Sequence, residues 1–188
     1  AYVFTVDNMR GAPLKIVRQK LKNSRIFFGR NKLIAAAIGR SPQDAYRDET
    51  HRLVEHLLGG EAGLIFTNET LETVRAKLAE AEQPEYSRAG AEATSEIKLS
   101  PGDLDHFPHS MEPYLRKLGL PTRLTGGVVT LLCEHTVCNE GDALTSDQAK
   151  ILQLLDIKMS TFKAELRCRW SVGEFEAYAE PRVRVVED

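Results

Sequence analysis

The chain is short of cysteine, of long apolar runs and, over one long stretch, of acid. Cys133, Cys138 and Cys168 are the only cysteines in 188 residues, an odd and sparse set. They offer no disulfide framework and read as reduced thiols of a cytosolic or nuclear protein. The longest uncharged apolar run, Leu33 to Gly39, is far below the roughly 20 residues of a membrane-spanning helix, so no membrane partner is expected. Internal repeats and low-complexity tracts are absent as well. The chain opens on AYVFTV without an initiator Met, and its natural start is expected upstream.

The acidic shortage is the informative one. From Asn8 to Gln43 there is no Asp or Glu, while Arg10, Lys15, Arg18, Lys20, Lys22, Arg25, Arg30, Lys32 and Arg40 all fall inside. Because the formal net charge of the whole chain is -2, the remainder must be acidic, with sixteen cations against twenty-seven anions. Segregated positive charge on an otherwise acidic protein is the footprint of a surface that docks on a polyanion, most often nucleic acid.

Periodicity places that stretch on structure. Tyr2 to Val6 reads as a strand apolar on both faces. Leu14, Val17 and Leu21 form one stripe of an amphipathic helix over Pro13 to Lys22, with Lys15, Arg18 and Lys22 one residue on. Arg25 to Gly29 (RIFFG) is a second strand, in which Phe27 and Phe28 are expected to pack in the core. Asn31 is suited to cap a helix over Lys32 to Ile38. Backbone N–H groups at that turn would point outward between Arg30 and Lys32 and favour an anion.

A helix ending at Gly59-Gly60, a strand over Ala62 to Thr67 and a helix capped by Asn68 or Thr70 follow. The order predicts an α/β domain, a mixed sheet flanked by helices. From Ser100-Pro101-Gly102 the punctuation changes to short elements: a helix near Glu112 to Leu118, a hairpin over Val128 to Val137 and a helix near Ser146 to Leu155. Strand patterning then returns over Phe162 to Trp170 and Glu174 to Tyr178. The expected organisation is an α/β domain from residues 1–98 together with 163–188, carrying a small α+β insertion at 99–162.

Motifs for chemistry fail one by one. Gly29-Arg30-Asn31-Lys32 lacks the two-glycine spacing and the Ser or Thr of a nucleotide-binding P-loop. Cys133, His135 and Cys138 lack a paired Cys-x2-Cys set, so two buried thiols beside a hairpin His are expected, with no metal. His106, His109 and Ser110 lack a glycine elbow and an orienting acid. No catalytic residue, metal or cofactor is expected.

The run VDNMRGAPLKIVRQKLKNSRIFFGRNKLIAAAIGRSP, the strand GLIFTN, the loop YSRAG, the string FPHSMEPYLRKLGLPT with GGVVTLL after it, and EGDALTSDQAKILQLL resemble the mRNA turnover protein 4 family. That family of nucleolar ribosome-assembly factors is itself similar to the stalk-base protein of the large ribosomal subunit. The resemblance implies an rRNA-binding α/β domain, an inserted second domain, and a factor that holds the stalk-base site in nuclear precursors until the ribosomal protein replaces it. The implied partners are the stalk-base rRNA (the GTPase-associated centre), the pre-ribosomal large-subunit particle and neighbouring ribosomal proteins, in nucleus and nucleolus. The family's Gly-basic-Asn motif falls on Gly29, Arg30, Asn31 and Lys32, its Asn-Met-Arg turn on Asn8, Met9 and Arg10, and its Arg-Ala-Gly loop on Arg88 to Gly90. Phosphate contacts are expected from Arg10, Lys15, Arg18, Lys22, Arg25, Arg30 and Lys32. The mature stalk-base protein, or a phosphate-binding α/β enzyme, is the alternative.

Overall fold

The computed structural model describes residues 1–172 and 174–182 and divides the chain into two compact units, Ala1–Gln83 with Phe162–Asp188, and Pro84–Thr161. The first holds β1 (Tyr2–Asp7), α1 (Gly11–Lys20), β2 (Arg25–Phe28), α2 (Asn31–Ile38), α3 (Leu53–Leu57), β3 (Ala62–Phe66) and α4 (Leu71–Ala79). A short strand β4 follows at Gln83–Glu85. The second unit contains β5 (Ile97–Leu99), β6 (Gly102–Asp103), α5 (Glu112–Lys117), β7 (Thr122–Thr125), β8 (Val128–Leu131), β9 (His135–Cys138) and α6 (Ser146–Leu154). The chain then returns through β10 (Ser160–Ser171) and β11 (Glu174–Ala177). Gly173, in the expected closing turn, and residues 183–188 of the expected first domain lie outside the described residues.

The main sheet runs β11-β10-β1-β3-β2. Its described neighbours on this path pair antiparallel, so β1 and β2 run parallel with β3 between them, and α1 is the crossover joining them. Period-2 alternation sorts β1 to both faces. Tyr2, Phe4 and Val6 meet Leu14 and Val17 of α1, Leu21 at its C-terminal cap, and Val74 and Leu78 of α4. Val3 meets Leu53 and Leu57 of α3 on the other face, with Ile34 and Ile38 of α2 packed against them. Each fully buried side chain of this kind contributes about 1.5–3 kcal/mol. The twelve-residue β10 serves both layers because its register against β1 slips between Val3↔Cys168 and Phe4↔Leu166. This bulge puts Phe162, Ala164 and Leu166 in one core and Cys168 in the other.

The second unit has its own core, including Leu115, Leu120, Val129, Leu131, Val137, Ile151 and Leu152. It begins at Pro84, well before residue 99 where the composition changes. Residues 90–99 are tied into it: Gly90 N–H donates to the Leu144 carbonyl at 2.7 Å and Ala93 N–H to that of Asp142 at 2.9 Å, and β5 pairs with β9. The expected hairpin over Val128 to Val137 does not form. β8 instead pairs with β7, Thr125 facing Val128 across Gly126-Gly127. Both glycines have positive φ, 59° and 85°, the backbone that a two-residue hairpin turn demands. Cys133 lies past the end of β8 and is exposed, not buried as alternation suggested. Thr145 starts α6 with a reciprocal capping box, accepting from Gln148 N–H at 3.2 Å while its own N–H donates to the Gln148 side chain at 2.8 Å.

Candidate nucleic-acid interface

Strand direction sorts the candidate residues. β1 and β2 end, and β3 begins, at the same end of the sheet, because Thr5 pairs with Ala62 and Phe28 with Gly63. Residues 8–10 and 29–32 therefore leave the sheet at that end. Lys22 and Arg25 lie at the opposite end, where β2 starts, and α1 carries Lys15 and Arg18 between the two. Lys15 and Arg18 are exposed and one turn apart on α1; Lys22 lies just past its end, since α1 stops at Lys20 rather than Lys22.

Asn8 occupies the left-handed region at φ 49°, a conformation that Asn tolerates better than most residues. Its side-chain nitrogen is buried and has no hydrogen-bond partner among the described residues. Met9 packs against the core under α1. Arg10, half-buried, is the N-terminal cap residue of α1, and its carbonyl accepts from Leu14 N–H at 3.2 Å.

Gly29 holds φ 143° in open space, so the constraint there is the backbone angle and not a close neighbour. Arg30, not Asn31, is the cap residue of α2, with no side-chain cap bond. The Asn31 side chain is committed elsewhere: its Nδ2 donates to the carbonyls of Leu57 at 2.9 Å and Gly60 at 3.2 Å, fixing the start of α2 to the connection between α3 and β3. Gly29, Arg30, Asn31 and Lys32 line one side of an open hollow of about 660 Å³, faced by Gly60 and Glu61. Unpaired N–H groups of the first helical turn face outward at such a start and favour an anion.

Pairing separates free cations from spent ones. Lys20 bonds Glu80 at 2.6 Å, and that bond holds the Glu80 carboxyl below its ordinary range. Arg182 clamps Asp7 with contacts at 2.7 and 3.3 Å, which engages the carboxylate adjoining residues 8–10 in sequence. None of the described ion pairs engages Lys15, Arg18, Lys22, Arg25, Arg30 or Lys32. Arg88 belongs to the second unit, contrary to its expected place in the first, and sits exposed in a turn where Ala91 N–H donates to its carbonyl at 3.1 Å. No metal-binding cluster of His, Cys, Asp or Glu occurs among the described residues.

Sequence reasoning missed Phe27. It is 51% exposed on the face away from α1, whereas Phe28 packs against the core with Phe4, their ring centroids 5.9 Å apart. β2 is the edge strand of the described sheet order, and Phe27, paired with Leu64 of β3, stays exposed on its face.

Comparison with known proteins gives these residues their context. The family model of ribosomal protein L10 matches residues 1–83, and the model of the insertion domain found in the 60S ribosomal proteins of that family matches residues 87–157. A Dictyostelium discoideum protein, ribosome assembly factor mrt4, is 38% identical over 174 residues, which cover 93% of this chain and 78% of that protein. The chain belongs to the mrt4 family of ribosome assembly factors. The mrt4 of Neurospora crassa is also 38% identical, over 93% of this chain and 76% of its own length. Large ribosomal subunit protein uL10 of Thermococcus onnurineus is 29% identical over 81% of this chain and 45% of that protein. The match to the L10 model and the likeness to uL10 mark the mrt4 family as a paralogue of uL10. Neither is a family of enzymes.

Proposed function

We propose that this chain is a large-subunit assembly factor that binds the ribosomal RNA of the stalk base, the GTPase-associated centre, through its first unit. It holds that site in nuclear and nucleolar precursors until the stalk-base ribosomal protein takes its place. The observation that carries this reading is the set of six cations, Lys15, Arg18, Lys22, Arg25, Arg30 and Lys32, in a stretch without acids and outside every described ion pair. Phosphate contacts from these side chains and Arg10 supply affinity, while the start of α2 and the Asn8–Arg10 turn meet the shape of the folded RNA. Arg88 contributes from the second unit. Paralogy with uL10 supports competition for one RNA site, and the longer match to mrt4 proteins supports the assembly role over that of the mature stalk protein.

Titration of a stalk-base rRNA fragment tests the reading. With about five phosphate contacts, affinity falls by about 10²–10³ as salt rises from roughly 50 to 200 mM, by analogy with duplex DNA. The double variant Arg30→Glu, Lys32→Glu weakens binding further and flattens that slope. A salt-independent affinity, or a double variant that binds like the parent, rejects the interface. Fractionation checks the assembly role: the protein travels with large-subunit precursors and is missing from translating ribosomes.

A further inference from the structure

The sheet face away from α1 carries an apolar hollow of about 420 Å³ that the core does not use. Phe27 and Phe66 form its floor, edge to face at 5.8 Å and 84°, and remain 51% and 45% exposed. Ile34 and Trp170 line its sides, and Tyr46, 75% exposed, stands on its rim. The wall is held in place beforehand. Tyr46 N–H donates to the Ile38 carbonyl at 2.8 Å, Trp170 Nε1 to that of Asp48 at 2.7 Å, and Thr50 Oγ1 to that of Arg47 at 2.7 Å. A site built in advance loses little freedom on binding.

Its charge is of one sign. Arg47, with its guanidinium 5.8 Å from the Tyr46 ring centroid, is the one charged side chain lining the hollow among the described residues. Arg25 faces Phe66 across the strand pair and shares the face of Phe27, and β2 runs on to Arg30 and Lys32. Two acids of the wall loop are engaged nearby, Asp44 by Ser41 at 3.1 Å and Glu49 by Arg52 at 3.1 Å, while Asp48, whose carbonyl accepts from Trp170, is exposed beside Arg47. Exposed rings interleaved with cations outside the described ion pairs suit a stacked base with its phosphate at the edge.

We propose that this hollow receives one unpaired nucleobase of the bound RNA, stacked on the Phe27 ring and bordered by Phe66, which stands perpendicular to it, with the flanking phosphates at Arg25 and Arg47. The inference rests on the RNA-binding reading above. The volume lies at the small end of ligand clefts, which run about 300–1,000 Å³, and suits a single planar heterocycle. Because the lining is nearly all apolar, recognition comes from ring stacking and not from the base edge. The site demands an unstacked base but tolerates any of the four.

Two probes separate the possibilities: a single-stranded RNA oligonucleotide and a blunt RNA duplex of the same length, each titrated against the full chain. Phe27→Leu keeps volume and apolarity but removes the ring. It lowers single-strand affinity about tenfold and leaves duplex affinity unchanged, whereas Phe27→Trp binds both like the parent. Tyr46→Ala, at a side chain too exposed to matter for folding, lowers single-strand affinity in the same sense. Lys15→Glu with Arg18→Glu weakens both probes. If that charge reversal weakens both while Phe27→Leu and Tyr46→Ala change neither, the base site is rejected and the phosphate-binding surface stands. If Phe27→Leu keeps its RNA affinity but frees the factor from precursor particles, the hollow is a protein-docking site and the base is again rejected. If every variant binds both probes like the parent, the base site and the RNA-binding reading fall together.

Discussion

Gly63 shows how little room a single residue leaves between β2 and β1. A Cβ there would come within 2.6 Å of the Phe27 carbonyl oxygen and 2.8 and 2.9 Å of the rings of Phe4 and Phe28. Two of these neighbours are side chains fixed in the core and the third is backbone, so the strand pair must shift. Gly63→Ala is expected to cost about 1–3 kcal/mol, read as a lower denaturant midpoint with an unchanged slope; an unaltered midpoint would mean that β2 gives way freely. His56 is the residue to follow against pH. It is buried, its ring centroid 5.9 Å from that of Phe175, and its Nδ1 has no partner among the described residues. Burial, then the Arg167 guanidinium, push its pKa below the ordinary 6.5, with Arg52 acting in the same sense and Glu55 opposing. The unfolded chain therefore binds a proton that the folded chain resists. Stability is unaffected well above pH 6.5 and declines as pH falls through it. His56→Gln removes that part of the decline, which thermal unfolding on either side of about pH 6.5 measures; an unchanged profile would place the sensitivity elsewhere.

At the scale of elements, what was legible in the sequence was whatever repeats with a period. The stripe Leu14, Val17, Leu21 and the run of β1 gave α1 and the central strand, because 3.6- and 2-residue periods follow directly from backbone geometry. The family motifs at Asn8–Arg10 and Gly29–Lys32 were equally plain, and of the two caps expected for α4, Asn68 and Thr70, it is Thr70 that accepts from Thr73 N–H. Pairing partners were not. Gly126-Gly127 was visible as punctuation, but nothing local says that it closes β7 onto β8 and leaves β9 for β5. For the same reason residues 90–98, joined to the second unit by contacts some forty to fifty residues away, read as part of the first. The exposure of Phe27 was hidden because alternation reports which face a side chain takes, not whether another layer reaches it. Asn31 passed for a cap since its type suits one, while its true partners, the carbonyls of Leu57 and Gly60, are set by tertiary packing.

For the whole molecule, the partition of core and charge argues for a division of labour. The described cores do not mix: one unit buries Phe4, Leu57 and Phe162, the other Leu115, Leu131 and Ile151. Charge divides along the same line. Residues 84–161 carry seven Lys and Arg against eleven Asp and Glu, leaving eighteen against sixteen for the rest. A unit with a net negative charge is on balance repelled by phosphates, so the proposed interface draws its salt-dependent attraction mainly from the first unit, with Arg88 a single contact from the second. Leu131, 1% exposed in the second core, makes this testable, since Leu131→Ala costs that unit about 2–5 kcal/mol. In the full chain the variant is expected to lower the unfolding of the second unit while RNA affinity and its salt slope stay within about twofold of the parent, that is, within about 0.4 kcal/mol. A parallel, larger fall in RNA affinity, at temperatures where the first unit is still folded, would show instead that the acidic unit contributes beyond the single Arg88 contact.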